Sequence, residues 1–531
     1  MAAPSYTTDL IDLIADSDTT AWGELVTMAS GGAPDEADTE SALQGTNSVS
    51  QITNTTSLFS MCRILGSPVT LNTGDVFLVW HCHSVATALL NYASGGLRLF
   101  IANTLTDWKG WSVGGNDVAP YPYGNWINNP IDPTIAYEYS NGTAPTGLTF
   151  YGVGSGGILS QVVARGQPHK VDIIRYGRAE ARINGGDITN GYATFDGFAT
   201  LNDATSARWG LIQTTTGGYL WKGLLTLGYS SMVDFRDSNK TIFVQDTRKV
   251  YLAFNKIEIR QTGSRVDWTG INFTCLSPST TASKGALEVI DDADVNFDTC
   301  VFTDMNTFIF KANSTIQDST FRRCDLVTQG SAVFTSCTFT NTTNSVKAIL
   351  SDNPQNISNC TFVSSGTKHA IELTSACVGG TYTFTSNTFT GYASSNGSTG
   401  NEAIYNNSGG LVTLNIISST SPSIRNGSGA STIVNNAVSL TIKVVDKNNS
   451  SVENAQTAIY RTSDDLQLMN GDTNASGVAT SSFNYISDTA IYVRIRKSST
   501  GTTKYYPAST VGTITSVGYS ATITLIEDTT A

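Results

Sequence analysis

Apolar and polar residues alternate along much of this chain at the two-residue period of a strand, and turn residues break the pattern. VFLVWHCH (76–83), GLRLFIAN (96–103), GLTFYGV (147–153), HKVDIIRYG (169–177) and YLWKGLLTLG (219–228) are apolar-rich runs separated by Gly-rich breaks. Strands joined by such turns, with no helical period between them, predict an antiparallel β-sandwich over 61–235. Residues 1–60 are polar. A short helix is expected over Thr7–Ala15, followed by the loop-like SGGAPDEADTES, and the segment is expected to be an arm that orders against a partner.

The middle third has a repeat. Phe follows a small or amide residue by two positions in Cys300-x-Phe302, Cys337-x-Phe339, Cys360-x-Phe362 and Asn387-x-Phe389. The same phase takes in Phe273, Ser319-x-Phe321 and Asn415-x-Ile417, with landmarks 18 to 29 residues apart and a mean spacing of 24. A second strand signal recurs in step: ALEVI (286–290), FIFK (308–311), AVF (332–334), AILS (348–351), AIELT (370–374), AIYN (403–406) and SIRN (423–426). Two or three short strands in each irregular turn of this length predict a parallel β-helix over 236–437, its rungs ~4.8 Å apart. The phase gives Cys300, Cys337, Cys360, Asn387 and Asn415 one equivalent position, so they are expected to stack as an internal ladder. The residues leave three readings of its cysteines open: packed free thiols, disulfides or metal ligands.

From 438 to 531 the alternation is cleaner. LTIKVVD (440–446), AIYR (458–461), GVATSSFNY (477–485), AIYVRIRK (490–497) and ATITLIED (521–528) are divided by KNNSS, NGDTNASG and STGTT. About 90 residues of this kind predict a small sandwich of immunoglobulin or transthyretin type. The expected fold class is therefore all-β throughout.

Composition narrows the function. Only 14% of residues are charged, against roughly 25% in an average domain, and Thr, Ser, Asn and Gly take their place. A net charge of −12 with no basic run excludes a nucleic-acid binder, which needs clustered Lys and Arg. No apolar run approaches the roughly 18 residues of a membrane-spanning helix, and the N-terminus lacks the basic and apolar regions of a secretory signal.

Candidate chemistry is sparse. Glycoside hydrolysis needs two carboxylates in one groove. The best acidic cluster is Asp291, Asp292, Asp294 and Asp298, with Asp304, Asp318 and Asp325 near it in phase, beside Arg322 and Arg323; Asp292, Asp294 and Asp298 are the catalytic candidates if the chain is an enzyme. Solvated turns explain the same residues. His81 and His83 share a strand face but have no visible third ligand; His169 and His369 are isolated. No metal or cofactor is expected. Trp108, Trp111, Tyr121, Tyr123 and Trp126 lie in a Gly/Pro-rich stretch, where they either cover a core or contact a glycan or a protein. The Asn-x-Ser/Thr triplets at Asn54, Asn141, Asn313, Asn356 and Asn359 follow from composition.

The repeating xAIxL…IxNCxF motif resembles the pectate-lyase-like right-handed β-helix superfamily, which includes polysaccharide lyases, hydrolases and phage tailspikes. GGLRLFI, TDWKGWSVGG and HKVDIIRYG look like concanavalin/laminin-G-like sandwiches of virion proteins. VVDKNNSSVENAQTAIY followed by GDTNASGVATSSFNY is similar to Ig-like modules on phage capsids and tails, and residues 233–273 look like the entry into a β-helix in structural proteins of tailed phages. Together these resemblances imply a non-enzymatic protein of the tailed-phage virion, a capsid decoration or a tail or neck appendage. They further imply contacts with other virion proteins, homotrimerisation and weak contact with host polysaccharide. A tailspike-type depolymerase and a non-catalytic glycan-binding adhesin are the alternatives.

Overall fold

A computed structural model describes residues 1–14, 21–29, 32–52, 58–83, 97–114, 126–158, 168–202, 211–244, 256–275, 285–397, 399–417, 422–485, 488–498, 502–515 and 517–530. The protein is all-β. Its one α-helix among the described residues is Phe195–Asn202. The hydroxyl of Thr194 starts that helix by accepting the Gly197 N–H (3.0 Å), and Phe195 and Phe198 anchor it in the interior. The chain divides into two compact units: Met1–Thr315 with Phe321–Asp325, and Ile316–Thr320 with Leu326–Ala531.

The first unit contains two six-stranded antiparallel sheets. One runs in the order Trp126–Ile131, Val76–His83, Pro168–Gly177, Ser48–Ile52, Asp35–Asp38, with Ile11–Ile14 also pairing on Pro168–Gly177. The other runs Tyr139–Asn141, Trp108–Gly114, Leu97–Ala102, Thr149–Ile158, Leu58–Thr70, Trp22–Gly23. A single apolar cluster draws Val49, Phe77, Val79 and Val171 from the first sheet and Phe59, Leu99, Trp111 and Phe150 from the second. Pleating puts these alternate side chains on one face of each strand, and water exclusion joins the faces.

Two expectations for the N-terminus are corrected here. Thr7–Ala15 does not start a helix: Ser5–Thr8 and Ile11–Ile14 are strands, the first paired with Glu180–Asn184. The run DLIDLI fits either period when read alone, and pairing decides it, with Asp12 forming an ion pair with Arg175. Nor is the described part of 1–60 a separate arm. Its Ile14, Trp22 and Val49 join the unit's own core.

Parallel pairing begins at Glu180–Asn184, ahead of the expected boundary at 236. Leu224–Leu227, Lys256–Ile259, Ala286–Val289 and Phe308–Ile309 follow it in one sheet. The expected single strand 219–228 is two strands, Gly218–Trp221 and Leu224–Leu227, because Gly223 (φ +100°) turns a corner between them. Asp234–Ser238, Arg265–Thr269 and Asp294–Asp298 form a second parallel stack, and Gly218–Trp221, Thr241–Val244, Asn272–Cys275 and Val301–Thr303 a third. Register is strict: Val266 lies against Val295 and Phe273 against Phe302.

The second unit continues this pattern within itself. Val327–Gly330, Lys347–Ser351, His369–Leu373, Ile404–Asn406 and Ile424–Asn426 are successive parallel neighbours, as are Thr338–Thr340, Thr361–Val363 and Thr388–Thr390. Leu411–Ile417 pairs with Thr381–Thr385 on one side and Ser431–Val445 on the other. The last of these strands changes partners midway. Leu411–Ile417 accompanies it to Ala437, and from Asn436 it pairs antiparallel with Val478–Tyr485 and from Leu440 parallel with Tyr519–Thr524. A four-stranded antiparallel sheet, Gln467–Asp472, Gln456–Arg461, Thr489–Lys497, Tyr505–Ile514, completes the unit. Its Ile459 and Val493 meet Leu440 and Ile442 in one core.

The corners of the stack obey a rule that the sequence did not announce. Asn239, Gly270, Thr299, Asp318, Ser336, Asn359 and Ser386 all have φ between 48° and 67°, the left-handed region. The N–H of Ser336 donates to Ser358 O, that of Asn359 to Thr385 O and that of Ser386 to Ile417 O, so each corner hydrogen-bonds to the following rung. Asn, Asp and Gly suit this conformation at little steric cost, and the corner then points the next residue inward.

Candidate functional site

The C-terminal four-stranded sheet has a core side and an open side. Ile459, Ile491, Val493 and Ile495 point to the core, so pleating sends their neighbours Ala458, Tyr460, Tyr492, Arg494 and Arg496 outward. Register aligns them in rows: Asn470, Ala458, Arg494 and Ser509 across the middle, and Gln467, Tyr460, Tyr492 and Val511 beside them. Ala458 is the short residue of the central row, and the sheet is hollowed there into a groove of about 510 Å³. Gln456, Gln467, Asn470, Arg494, Arg496 and Ser509 give it polar walls, with Tyr460 on one flank.

The groove is electropositive. Arg494 and Arg496 are exposed, and neither forms an ion pair among the described residues. The Tyr460 and Tyr492 rings stack at 5.2 Å and 16°, and the Arg494 guanidinium lies 5.6 Å and 5.0 Å from their centres. Gln456 orients Arg496 by accepting its Nε–H at 2.7 Å. The Tyr492 hydroxyl donates to Asp465 (2.8 Å), and that hydrogen bond raises the phenol's pKa. Two guanidiniums, three amides, a hydroxyl and an aromatic face match an anionic, hydroxyl-rich ligand. The sequence showed AIYVRIRK as an alternating strand. Only pairing with AIYR and with 505–514 turns its Arg residues into one face of a site.

The residues singled out from sequence fall elsewhere. Trp108 and Trp111 are buried, their indole N–H groups donating to Val26 O (3.0 Å) and Ile135 O (2.8 Å), so they are core residues unavailable to a ligand. The half-buried Trp126 donates to Ser41 Oγ (3.1 Å). Tyr121 and Tyr123 lie outside the described residues. The acidic cluster is spread over turns and an outward sheet face: Asp291 accepts the Gln261 N–H, Asp292 and Asp294 are exposed, and Asn296 bridges Asp294 to Asp267 (3.0 Å each). Arg265 stands beside Asp267 (2.8 Å) and Asp294 (4.0 Å). Asp304 instead forms a two-pronged ion pair with Arg323 (2.8 and 2.6 Å). Neither Asp292, Asp294 nor Asp298 lines the groove. His81 is fully buried with Nδ1 3.1 Å from Ser155 Oγ, and His169 stacks on Phe59.

The ladder is real over part of its expected length. Cys337 N–H donates to Cys360 Sγ (3.4 Å) and Cys360 N–H to Asn387 Oδ1 (2.9 Å), with all three side chains buried. Cys300 lies against Ile271 in the rung before it. Each thiol also donates to the carbonyl two residues back, at Asp298, Thr335 and Ser358, and Ser319 repeats this with Gln317 O (2.8 Å). The cysteines are free thiols, and burial pushes that of Cys300 up to about 11. Asn415 is the exception: it lies in the Leu411–Ile417 strand, aligned with Thr383 and Asn435, and accepts from Asn435 (3.0 Å). Of the second strand signal, AVF also belongs elsewhere, since Val327–Gly330 is the neighbour of Lys347–Ser351.

His369 carries a pH-dependent contribution to stability. Its ring is buried, Nδ1 lies 2.9 Å from Glu402 O, and Tyr405 stacks on it at 4.8 Å. Burial lowers its pKa despite the opposing pull of Glu402, with Arg425 adding to the fall. Below the ordinary value of about 6.5, the unfolded chain binds a proton that the folded chain refuses. Stability should therefore fall as pH is lowered through this range, by at most about 1.4 kcal/mol per pH unit. Thermal unfolding between pH 7 and 5 should show a shallower decline in His369→Phe than in the parent.

No protein-family model, curated protein or solved structure matches the chain. Among the described residues, no helix is long and apolar enough to cross a membrane.

Proposed function

We propose that this chain is a structural protein of a tailed-phage particle, displayed on its surface as a capsid decoration or a tail or neck appendage. In this reading the two antiparallel sheets of the first unit are a concanavalin-like sandwich, the parallel stacks a right-handed β-helix, and residues 438–531 an Ig-like sandwich. The observation that carries it is the stack of in-register parallel strands with a left-handed corner residue in rung after rung. Stacked rungs of this kind hold their shape through nearest-neighbour contacts. A surface with little charge and much Thr, Asn and Gly suits permanent display.

The groove favours a second role within the same reading, weak attachment to host polysaccharide without turnover. Depolymerase activity finds less support, because the acidic candidates are ion-paired or solvated and lie outside the groove. Homotrimerisation is part of the proposal, and light scattering of the purified protein checks it.

The test is to map the protein on intact particles with a specific antibody while incubating purified protein with host polysaccharides. Labelling of the mature particle is expected, and its absence overturns the assignment. Binding should favour acidic over neutral polysaccharide, weaken with salt, and drop at least about tenfold in an Arg494→Ala/Arg496→Ala double variant. Chain cleavage abolished by Asp292→Asn or Asp294→Asn would replace the structural reading with an enzymatic one.

A further inference from the structure

Lys222 sits at the corner between Gly218–Trp221 and Leu224–Leu227, and its side chain is 1% exposed. Its Nζ reaches the backbone oxygen of Asn128 at 2.5 Å and touches Oδ1 of the same residue. Asn128 is itself fully buried, on the strand Trp126–Ile131 and opposite Trp80. No carboxylate pairs with the amine among the described residues, so both its acceptors belong to one asparagine. An ammonium held this way would be poorly compensated. Burial accordingly lowers its pKa to about 7, leaving much of it as a neutral amine at neutral pH. A desolvated lysine amine is a nucleophile, and Oδ1 marks the acyl carbon beside it.

We propose that Lys222 and Asn128 become joined by an intramolecular isopeptide bond. Nζ adds to Cγ of Asn128, forming the new C–N bond. The Cγ–Nδ2 bond breaks, a proton passes from Nζ to Nδ2, and ammonia leaves. A primary amide and a neutral amine give a secondary amide and ammonia, with no change of oxidation state and no cofactor. Holding the two groups in contact inside a dry interior supplies the proximity the step needs. The bond would tie residues 94 positions apart, fixing the antiparallel sheet that holds Asn128 to the first rungs of the parallel stack. All eight cysteines are free, so this link would do in a reducing compartment what a disulfide does elsewhere.

Mass spectrometry of the denatured full chain tests it without depending on the fold of any variant. The parent should be lighter than its sequence by one ammonia, and proteolysis should yield a branched peptide joining the segments that contain Asn128 and Lys222. Lys222→Arg should recover the full mass, and Asn128→Asp should lose water in place of ammonia. A linear Lys222 peptide recovered in full from the parent overturns the proposal, as does an ammonia loss that maps to a linear asparagine peptide.

Discussion

Phe362→Ala is expected to cost about 3–5 kcal/mol in unfolding free energy, measured by chemical denaturation. Its ring is sandwiched between Phe339 at 5.0 Å and Phe389 at 5.3 Å, with planes within 8° and 12° of parallel. The strands Thr338–Thr340, Thr361–Val363 and Thr388–Thr390 keep these positions in register, so the neighbouring rungs cannot close over the gap without breaking their ladders. The first unit offers an independent copy of the experiment, with Phe302 between Phe273 (5.5 Å) and Phe321 (5.0 Å). A loss below about 1 kcal/mol at both positions, as for an ordinary surface residue, would show that the stacked column is not the core.

Cys337→Asp should destabilise by at least about 3 kcal/mol at neutral pH. The thiol is fully buried and faces the carbonyls of Ile316 (3.4 Å) and Thr335 (3.5 Å), to which it donates. A carboxylate there would place negative charge against two acceptors with no cation to answer it. Cys337→Ser keeps a donor in the same place, as Ser319 does naturally one rung earlier, and should cost far less. Thiol labelling gives a second measurement. Cys300, Cys337 and Cys360 should react at the rate of global unfolding, because they are buried in the folded chain; prompt labelling of the native protein would contradict the assigned column.

Much of the interior is legible in the sequence. The recurrence of Phe two residues after a small side chain is a local pattern repeated on every rung, and in-register stacking turns such a pattern directly into a column. Its limits are equally local. Asn415 fits the spacing but stacks with Asn435, because Leu411–Ile417 pairs with Thr381–Thr385 and not with Thr388–Thr390. The rungs ahead of 236 fall outside the expected β-helix because Glu180–Asn184 and Leu224–Leu227 carry no Phe marker, although their alternation is that of any strand. For Trp108 and Trp111 the sequence leaves a core role and a contact role open, because Gly and Pro surround them; their strands bury them.

By itself the sequence determined the strand period, the repeat, the predominance of β-structure and the low charge, since these depend on neighbouring residues or on counts. Tertiary structure alone decided which strands became neighbours. It placed Arg494 beside Tyr460 and Lys222 against Asn128, joining residues tens of positions apart. A period fixes the face on which a side chain emerges. What that face meets depends on pairing across the chain, through backbone hydrogen bonds that every residue offers alike.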